Sequence, residues 1–385
     1  MIHFIDEETI KDKTVLLRVD FNVSLNPDHT IANDERIRQT IPTITHLLNY
    51  GNRLVLVSHL GQPKGHDPSL TLYPVSQRLE KLLGHSVDFV NEYDPEKISA
   101  ANSKVILLEN VRFHEGEKKN TPAFAKLLAS LAHVYVNDAF SVSHRPDASV
   151  VGVARLLPRY GGLLLKKEVT MLDRVLKDPQ KPVVAILGGA KISTKISLVG
   201  KLLEISDYLL IGGGLANTFI CATDHSIGKS MYEIEEVETA HRLLYEAEKK
   251  KTHVLIPTDA VVGTSKDTKE SIVKKVSDIS ADEQILDIGP QTQAAFGVHI
   301  ARAKTIIWNG PLGYTENPEF KRGTDFVYYA ITQNTGAISV VGGGDTINAI
   351  SKEEYLEKIT HISTGGGAML EYIEKGTLPG IEVLK

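Results

Sequence analysis

Two sets of residues in this 385-residue sequence could do chemistry, and they lie in different halves. The first half offers Arg18, Asp20 and Asn22 on one short stretch, Arg36 and Arg38, Ser58-His59, Arg112, and His144-Arg145, nearly all placed after apolar runs. A guanidinium group presents a planar fork suited to phosphate or carboxylate. Several of them converging would make a pocket for a small, highly anionic ligand. Any one arginine could as well be solvated or paired with a carboxylate, but their joint placement favours the pocket. Asp20 and Asn22, taken alone, fit turn capping better.

The second half offers glycine. Gly188-Gly189-Ala190-Lys191, Gly212-Gly213-Gly214, Gly310-Pro311-Leu312-Gly313, Gly342-Gly343-Gly344-Asp345-Thr346 and Gly365-Gly366-Gly367 each follow an apolar run, and each is expected to lead into a helix. Such turns let backbone N–H groups approach phosphate oxygens, with the helix dipole adding to the attraction. Lys191 and Lys195, four apart, are expected on one face at a helix start, where a bound polyanion would offset the unfavourable dipole. Asp345 is a candidate Mg²⁺ ligand or, equally, a helix N-cap.

The elements that must position these groups are legible as alternating patterns. Apolar, β-branched runs at Val15–Val23, Leu54–His59, Val105–Leu108 and Val134–Val136 mark strands in the first half. Val183–Leu187, Tyr208–Ile211, His253–Ile256, Ile285–Ile288, Thr305–Trp308 and Ile338–Val341 mark them in the second. Their near-unbroken apolarity fits strands buried on both faces of a parallel sheet. Helical spacing recurs between them at Arg36–Leu48, Val75–Leu83, Pro122–Leu131, Ile192–Leu203 and Val237–Glu248. The alternation implies an α/β fold of two doubly wound, Rossmann-like parallel-sheet domains joined by a connecting helix and hinge. A break at Leu157–Gly162 places the first domain at 1–160, the connecting helix at 161–178 and the second domain at 179–371. In open parallel sheets, ligands bind beyond the carboxyl ends of the strands.

Composition narrows the function. The chain is 42% hydrophobic and 24% charged, with a net charge of −5, which argues against a nucleic-acid partner. Residues 1–170 carry 20 basic and 20 acidic side chains, whereas residues 171–385 carry 23 and 28. Glycine divides 8 against 22, so the halves look built for different tasks. No apolar run is long enough to span a membrane, and no secretory signal is evident in MIHFIDEETIKDK. Cys221, the single cysteine, excludes an intrachain disulfide, and a reducing cytoplasm is the expected location. No G-x-x-x-x-G-K-[ST] loop and no G-x-G-x-x-G after a strand occurs; the latter weakens a nicotinamide reading. His144-Arg145-Pro146-Asp147 stands without any Asp-Phe-Gly, so a protein kinase is not indicated. One domain for an anionic substrate and one for a metal-bound nucleotide together suggest phosphoryl transfer, which rests on alignment and charge neutralisation.

Taken in order, RVDFNV (18–23), DERIR (34–38), SHLGQPKG (58–65), ENVRFHEGE (109–117), VNDAF (136–140), GGAKISTK (188–195), IGGGLANTF (211–219), LDIGP (286–290), WNGPLG (308–313), GGGDT (342–346) and STGGGA (363–368) resemble the phosphoglycerate kinase family closely over essentially the whole chain. The resemblance implies reversible, Mg²⁺-dependent phosphoryl transfer from 1,3-bisphosphoglycerate to ADP, giving 3-phosphoglycerate and ATP. It implies a 3-phosphoglycerate site of Asp20, Phe21, Asn22, Arg36, His59, Leu60, Gly61, Gln62, Arg112 and Arg145, with Arg36 turned towards the transferring group. Lys191 and Lys195 would hold nucleotide phosphates, Gly213 and Gly214 would line the adenine pocket, and Glu316 would take the ribose hydroxyls. Asn309 and Gly343, Gly344, Asp345 and Thr346 would meet the phosphates, with Asp345 at Mg²⁺ and Gly366 presenting a helix terminus to the group in flight. The family pattern also implies a monomer whose C-terminal segment, 372–385, returns to the N-terminal domain.

The chain departs from that pattern at Ser24, Gln62, Ser141-Val142-Ser143, Thr194 and Thr315. Gln62 stands where the family motif has arginine, and the expectation is weaker substrate binding by a few-fold to about tenfold. A homologue kept for binding alone, or another two-domain α/β enzyme such as a dehydrogenase, remains the rival reading.

Overall fold

The computed structural model describes residues 2–352 and 354–385. Two compact units result, one running to Thr170 and taking in Thr377–Lys385, the other spanning Met171–Gly376. In the first unit, β1 (Thr14–Arg18) precedes a small hairpin of β2 (Ser24–Leu25) and β3 (Ile31–Asn33). Then come β4 (Arg53–Val57), β5 (Val87–Val90), β6 (Val105–Leu108), β7 (Val134–Asn137) and β8 (Arg159–Gly161). Apart from the hairpin they form one sheet in the order β5-β6-β4-β1-β7-β8, with every pairing parallel.

Leu17, Leu56, Leu107 and Val136 from its central strands pack with Ile37, Ile44 and Leu47 of the helix Glu35–Asn49 and with Val75 and Leu79 of the helix Tyr73–Leu83. The 3.6-residue spacing of those helical side chains turns one apolar stripe onto the sheet. The chain leaves β1 for β4 on one side and later returns to β7 on the other. That reversal makes the carboxyl end of β1 a topological switch point.

The second unit repeats the plan with β9 (Val183–Leu187), β10 (Tyr208–Ile211), β11 (His253–Leu255), and later β15 (Thr305–Asn309), β16 (Ile338–Gly342) and β17 (His361–Ser363). Their order is β11-β10-β9-β15-β16-β17, again all parallel. Ile186, Trp308 and Val341 form its core with Phe296, Val327 and Tyr328 from the covering helices. The switch falls between β9 and β15. Between the two halves of this sheet the chain inserts β12 (Asp259–Gly263), β13 (Ile272–Lys275) and β14 (Gln284–Ile288), an antiparallel three-stranded sheet.

Four local expectations are corrected. Ile285–Ile288 does not join the parallel sheet but pairs antiparallel with β12; Gln284 and Asp287 interrupt its apolarity, which suits a sheet covered on one face. The first strand stops at Arg18 rather than Val23, because Asp20 Oδ1 accepts the Asn22 N–H at 3.0 Å and turns the chain. Arg159–Gly161, read as part of a break, is the edge strand β8 paired with β7. The helix expected from Ile192 begins at Ile196, with Lys195 as its N-cap residue. No described helix is long and apolar enough to cross a membrane.

Candidate active site

At the switch point of the first sheet, the loops after β1, β4 and β7 meet. Phe21 N–H donates to Ser58 Oγ at 2.8 Å, and Gly61 N–H donates to Asn22 Oδ1 at 2.8 Å. Asp20, 6% exposed, accepts from Arg36 Nη1 and from Ser141 Oγ. Burial raises its carboxyl, but Arg36 and Ser141 overcome that and hold it below the ordinary carboxylate range. Asp20 thus both makes the turn and orients the guanidinium of Arg36. Ser141 was not expected to take part; the departure Ser141-Val142-Ser143 was the only signal, and a glycine there would give Asp20 no hydroxyl.

Arg112 lies in the short turn Val111–Phe113 after β6, and its Nη1 donates to Gly61 O at 2.7 Å. The carbonyl of buried Leu60 accepts Asn110 Nδ2 at 2.7 Å, which fixes the same loop. Burial pushes the Arg112 guanidinium down to about 10, and the charges of Arg18 and Arg145 push the same way. Arg145 is half-buried and begins after the turn Phe140–Val142. His59 is held well below its usual pKa by burial; Asp20 opposes this, and Arg18, Arg112 and Arg36 add to it. Its imidazole is therefore neutral near pH 7. Arg18 Nη2 lies 3.4 Å from His59 Nδ1, and since arginine only donates, Nδ1 is the bare nitrogen and Nε2 carries the hydrogen. Arg36, His59, Arg112 and Arg145 are therefore linked electrostatically, with Asp20 beside Arg36 and His59 and with Asp147 and Glu117 near Arg112. Gln62 is exposed, and its Oε1 accepts from Lys118 Nζ at 3.3 Å.

Arg18 itself is fully buried and structural. Its Nε donates to Ser149 Oγ at 2.8 Å, and Ser149 Oγ donates to Glu117 Oε1 at 2.6 Å. Burial pushes the Glu117 carboxyl up to about 7, with Arg18 and Ser149 pulling it back. Nothing in the local sequence marks Ser149 or Glu117 as partners of Arg18, from which they stand far along the chain.

In the second unit, the loops after β9, β10 and β15 interlock through backbone bonds of 2.9 Å: Gly188 N to Asn309 O, Gly189 N to Pro311 O, and Gly213 N to Leu312 O. They wall a cavity of about 630 Å³ that includes Gly213, Gly214, Met231, Leu286, Glu316 and Asp345. Gly213 has φ +65°, and a Cβ there would stand 2.9 Å from Gly189 backbone atoms, so a side chain would split the wall apart. Gly343 has φ +103°, and a Cβ would meet Asn309 Nδ2 at 2.6 Å. Asn309, buried at the end of β15, donates Nδ2 to Gly342 O at 2.8 Å and accepts Lys195 Nζ on Oδ1 at 2.8 Å. Thr346 Oγ1 accepts Gly310 N–H at 2.7 Å, which ties the turn Gly343–Asp345 to the turn after β15.

The lysines are not a matched pair on a helix face. Lys195 Nζ also donates to Gly188 O at 2.7 Å, and burial pushes its ammonium down to about 8 while Asp345 pulls it back. Lys191 is exposed and precedes the helix by a turn. Of the five glycine turns, three open directly into helices, at Gly213–Cys221, Gly344–Asn348 and Gly367–Lys375. The turns at Gly188 and Gly310 do not, which corrects the expectation that each would. Gly366 is the N-cap of the last of these helices, after β17.

A divalent ion at this cavity must be one that needs few protein ligands. Among the described residues, no group of three or more His, Cys, Asp or Glu could hold a metal. Asp345 is exposed on the cavity wall, and Mg²⁺ accepts one carboxylate with the remainder from phosphate and water. The residues fit that ion.

Asp287, at the end of β14, supports the cavity from below. Its Oδ1 accepts Ile288 N–H at 2.8 Å and its Oδ2 accepts Gly323 N–H at 2.7 Å. Burial nevertheless pushes its carboxyl up to about 7. Between an unfolded value of about 3.9 and that folded value, the native state binds the extra proton, so stability falls as pH rises through the window. Denaturant titrations should therefore show Asp287→Asn gaining on the unsubstituted chain between about pH 4 and pH 7, by at most about 4 kcal/mol. A difference constant across that range would contradict the assignment.

Comparison with known proteins agrees across the whole chain. A family model described as Phosphoglycerate kinase matches residues 5–376. The phosphoglycerate kinase of Dictyoglomus turgidum is 46% identical over 98% of this chain and 97% of its own, and that of Koribacter versatilis is 44% identical over 97% of each. The solved structure of phosphoglycerate kinase from Coxiella burnetii superposes with a TM-score of 0.91 at 38% identity, covering 100% of this chain and 99% of that one. That from Pyrococcus horikoshii gives 0.82 at 32%, covering 100% and 98%.

Proposed function

Because this chain belongs to the phosphoglycerate kinase family, it is a glycolytic phosphotransferase, and we propose that its first unit holds the phosphoglycerate while its second holds the nucleotide. The observation that carries this division is the clustering of Arg36, His59, Arg112 and Arg145 at one end of the first sheet, with Arg36 held by Asp20. Phosphoglycerate carries a phosphate and a carboxylate, and forked cations suit both. Asn22, Gly61 and Gln62 form the rim, Phe21 and Leu60 the loop cores beneath it. The glycine-walled cavity suits a nucleotide: Gly213 and Gly214 admit the flat base, and Glu316 faces the ribose. Gly343, Gly344, Thr346 and Asn309 place backbone and amide groups by the phosphates.

In the ATP-consuming direction, a carboxylate oxygen of 3-phosphoglycerate forms a bond to the terminal phosphorus as the bond to the bridging oxygen of ADP breaks. The nucleophile is already ionised, so no general base is required, and neutral His59 serves as a hydrogen-bond donor through Nε2. Arg36 neutralises charge on the acceptor side; Lys191, Lys195 and the amides from Gly343 and Gly366 do so on the donor side. Mg²⁺, which Asp345 would hold, supplies further charge neutralisation on the nucleotide phosphates. The family pattern supports a monomer working on small molecules in the cytoplasm, and the net charge of −5 speaks against a nucleic-acid partner.

ADP formation from MgATP and 3-phosphoglycerate tests the activity against a homologue that merely binds, which would give none. In the same assay, Asp345→Asn should raise the Mg²⁺ concentration for half-maximal rate about tenfold or more. An unchanged Mg²⁺ requirement would remove Asp345 from the metal site.

A further inference from the structure

We propose that Lys118 is a substrate-binding cation that meets the phosphate of phosphoglycerate from the rim of the first unit's site; this rests on the assignment of that site made above. Lys118 and Lys119 are neighbours with different fates. Lys119 pairs with Glu115 at 3.0 Å, whereas among the described residues Lys118 has no ion-pair partner. Its Nζ donates instead to the amide oxygen of Gln62 at 3.3 Å. A neutral amide orients an ammonium without cancelling its charge, which a carboxylate would do.

The loop on which that charge rests is the substrate loop itself. Gly61, next to Gln62, gives its carbonyl to Arg112 Nη1 at 2.7 Å and its N–H to Asn22 Oδ1 at 2.8 Å. Arg112 and Lys118 leave the same segment after β6, so one guanidinium and one ammonium bracket Gly61-Gln62. The backbone beneath Lys118 is fixed from the other side. Glu117, fully buried, accepts Ser149 N–H at 2.9 Å and Ser149 Oγ at 2.6 Å. Adjacent residues thus point one into the core and one over the loop. Gln62 brings no charge of its own, and Lys118 restores to the ring a cation that the sequence at position 62 does not provide.

Steady-state rates of the full chain with MgATP decide the matter. Lys118→Ala should raise KM for 3-phosphoglycerate three- to tenfold, with KM for MgATP within twofold and kcat falling less than KM rises. Adding Gln62→Arg to that variant should return the KM to within about twofold of the starting value, because a guanidinium at 62 replaces the lost charge. An unchanged KM in Lys118→Ala, an equal rise for both substrates, or a rise that Gln62→Arg does not reverse would overturn the proposal. Arg36→Ala separates the two failures. If it raises KM for 3-phosphoglycerate where Lys118→Ala does not, the site assignment stands and the role of Lys118 falls; if neither variant moves that KM, the assignment falls as well.

Discussion

Lys191→Ala is expected to lower kcat at least about a hundredfold, a loss of roughly 3–4 kcal/mol of transition-state stabilisation, following the magnitude for removing one charge-stabilising donor. Lys191 is the better probe of the two lysines because its removal leaves the resting fold alone. It is exposed and precedes the helix Ile196–Ile205. It acts on the charge of Glu233, which burial raises but which hydrogen bonds from Ser193 and the proximity of Lys191 keep below its ordinary value. Lys195, by contrast, joins Gly188 O to Asn309 Oδ1, so its loss would disturb the glycine wall as well as the chemistry. A lysine that binds the resting phosphates and holds the developing charge more strongly still should show its loss in kcat more than in KM. Near-normal turnover in Lys191→Ala would take it out of the mechanism.

Arg36→Ala is expected to cost as much, on the order of a hundredfold to a thousandfold in kcat, together with a raised KM for 3-phosphoglycerate. The Arg36 guanidinium is partly exposed, at 36%, while its partner Asp20 is 8% exposed at the side chain. Asp20 therefore positions one edge of the fork and leaves the guanidinium partly open to solvent. Arg36→Lys should not restore the rate, since a single ammonium cannot satisfy Asp20 and a phosphoryl oxygen with the same planar geometry. Recovery of more than half the rate in Arg36→Lys would show that charge alone, rather than the fork, is needed there.

The strand ends that carry both candidate sites were legible because parallel strands buried on both faces announce themselves. Val105–Leu108 and Val183–Leu187 are unbroken apolar runs whose limits coincide with β6 and β9. Val87–Val90 and Ile272–Lys275 are partly exposed edge strands, so their mixed composition carries no such signal. The segment Lys191–Lys195 misled for a different reason. Its helical spacing is genuine, but Ser193 gives its N–H to Glu233 Oε2 at 2.9 Å and its hydroxyl to Glu233 Oε1 at 2.5 Å. That tie, forty residues along the chain, keeps Ile192–Thr194 out of the helix, and no local pattern can foretell it. Asp20 was ambiguous between turn and site because it serves both; the same carboxylate bonds Asn22 N–H and Arg36. Lys118 was unreadable for want of a partner until Gly61-Gln62 was seen folded beside it.

The division of labour between the two units is tested most directly by titration calorimetry of the full chain, its Arg36→Ala variant and its Lys191→Ala variant, each with 3-phosphoglycerate alone and with MgATP alone. The account predicts that Arg36→Ala weakens 3-phosphoglycerate by at least about tenfold and leaves MgATP unaltered, and that Lys191→Ala weakens MgATP and leaves 3-phosphoglycerate unaltered. Loss of both ligands in either variant, or the reverse assignment, would contradict it.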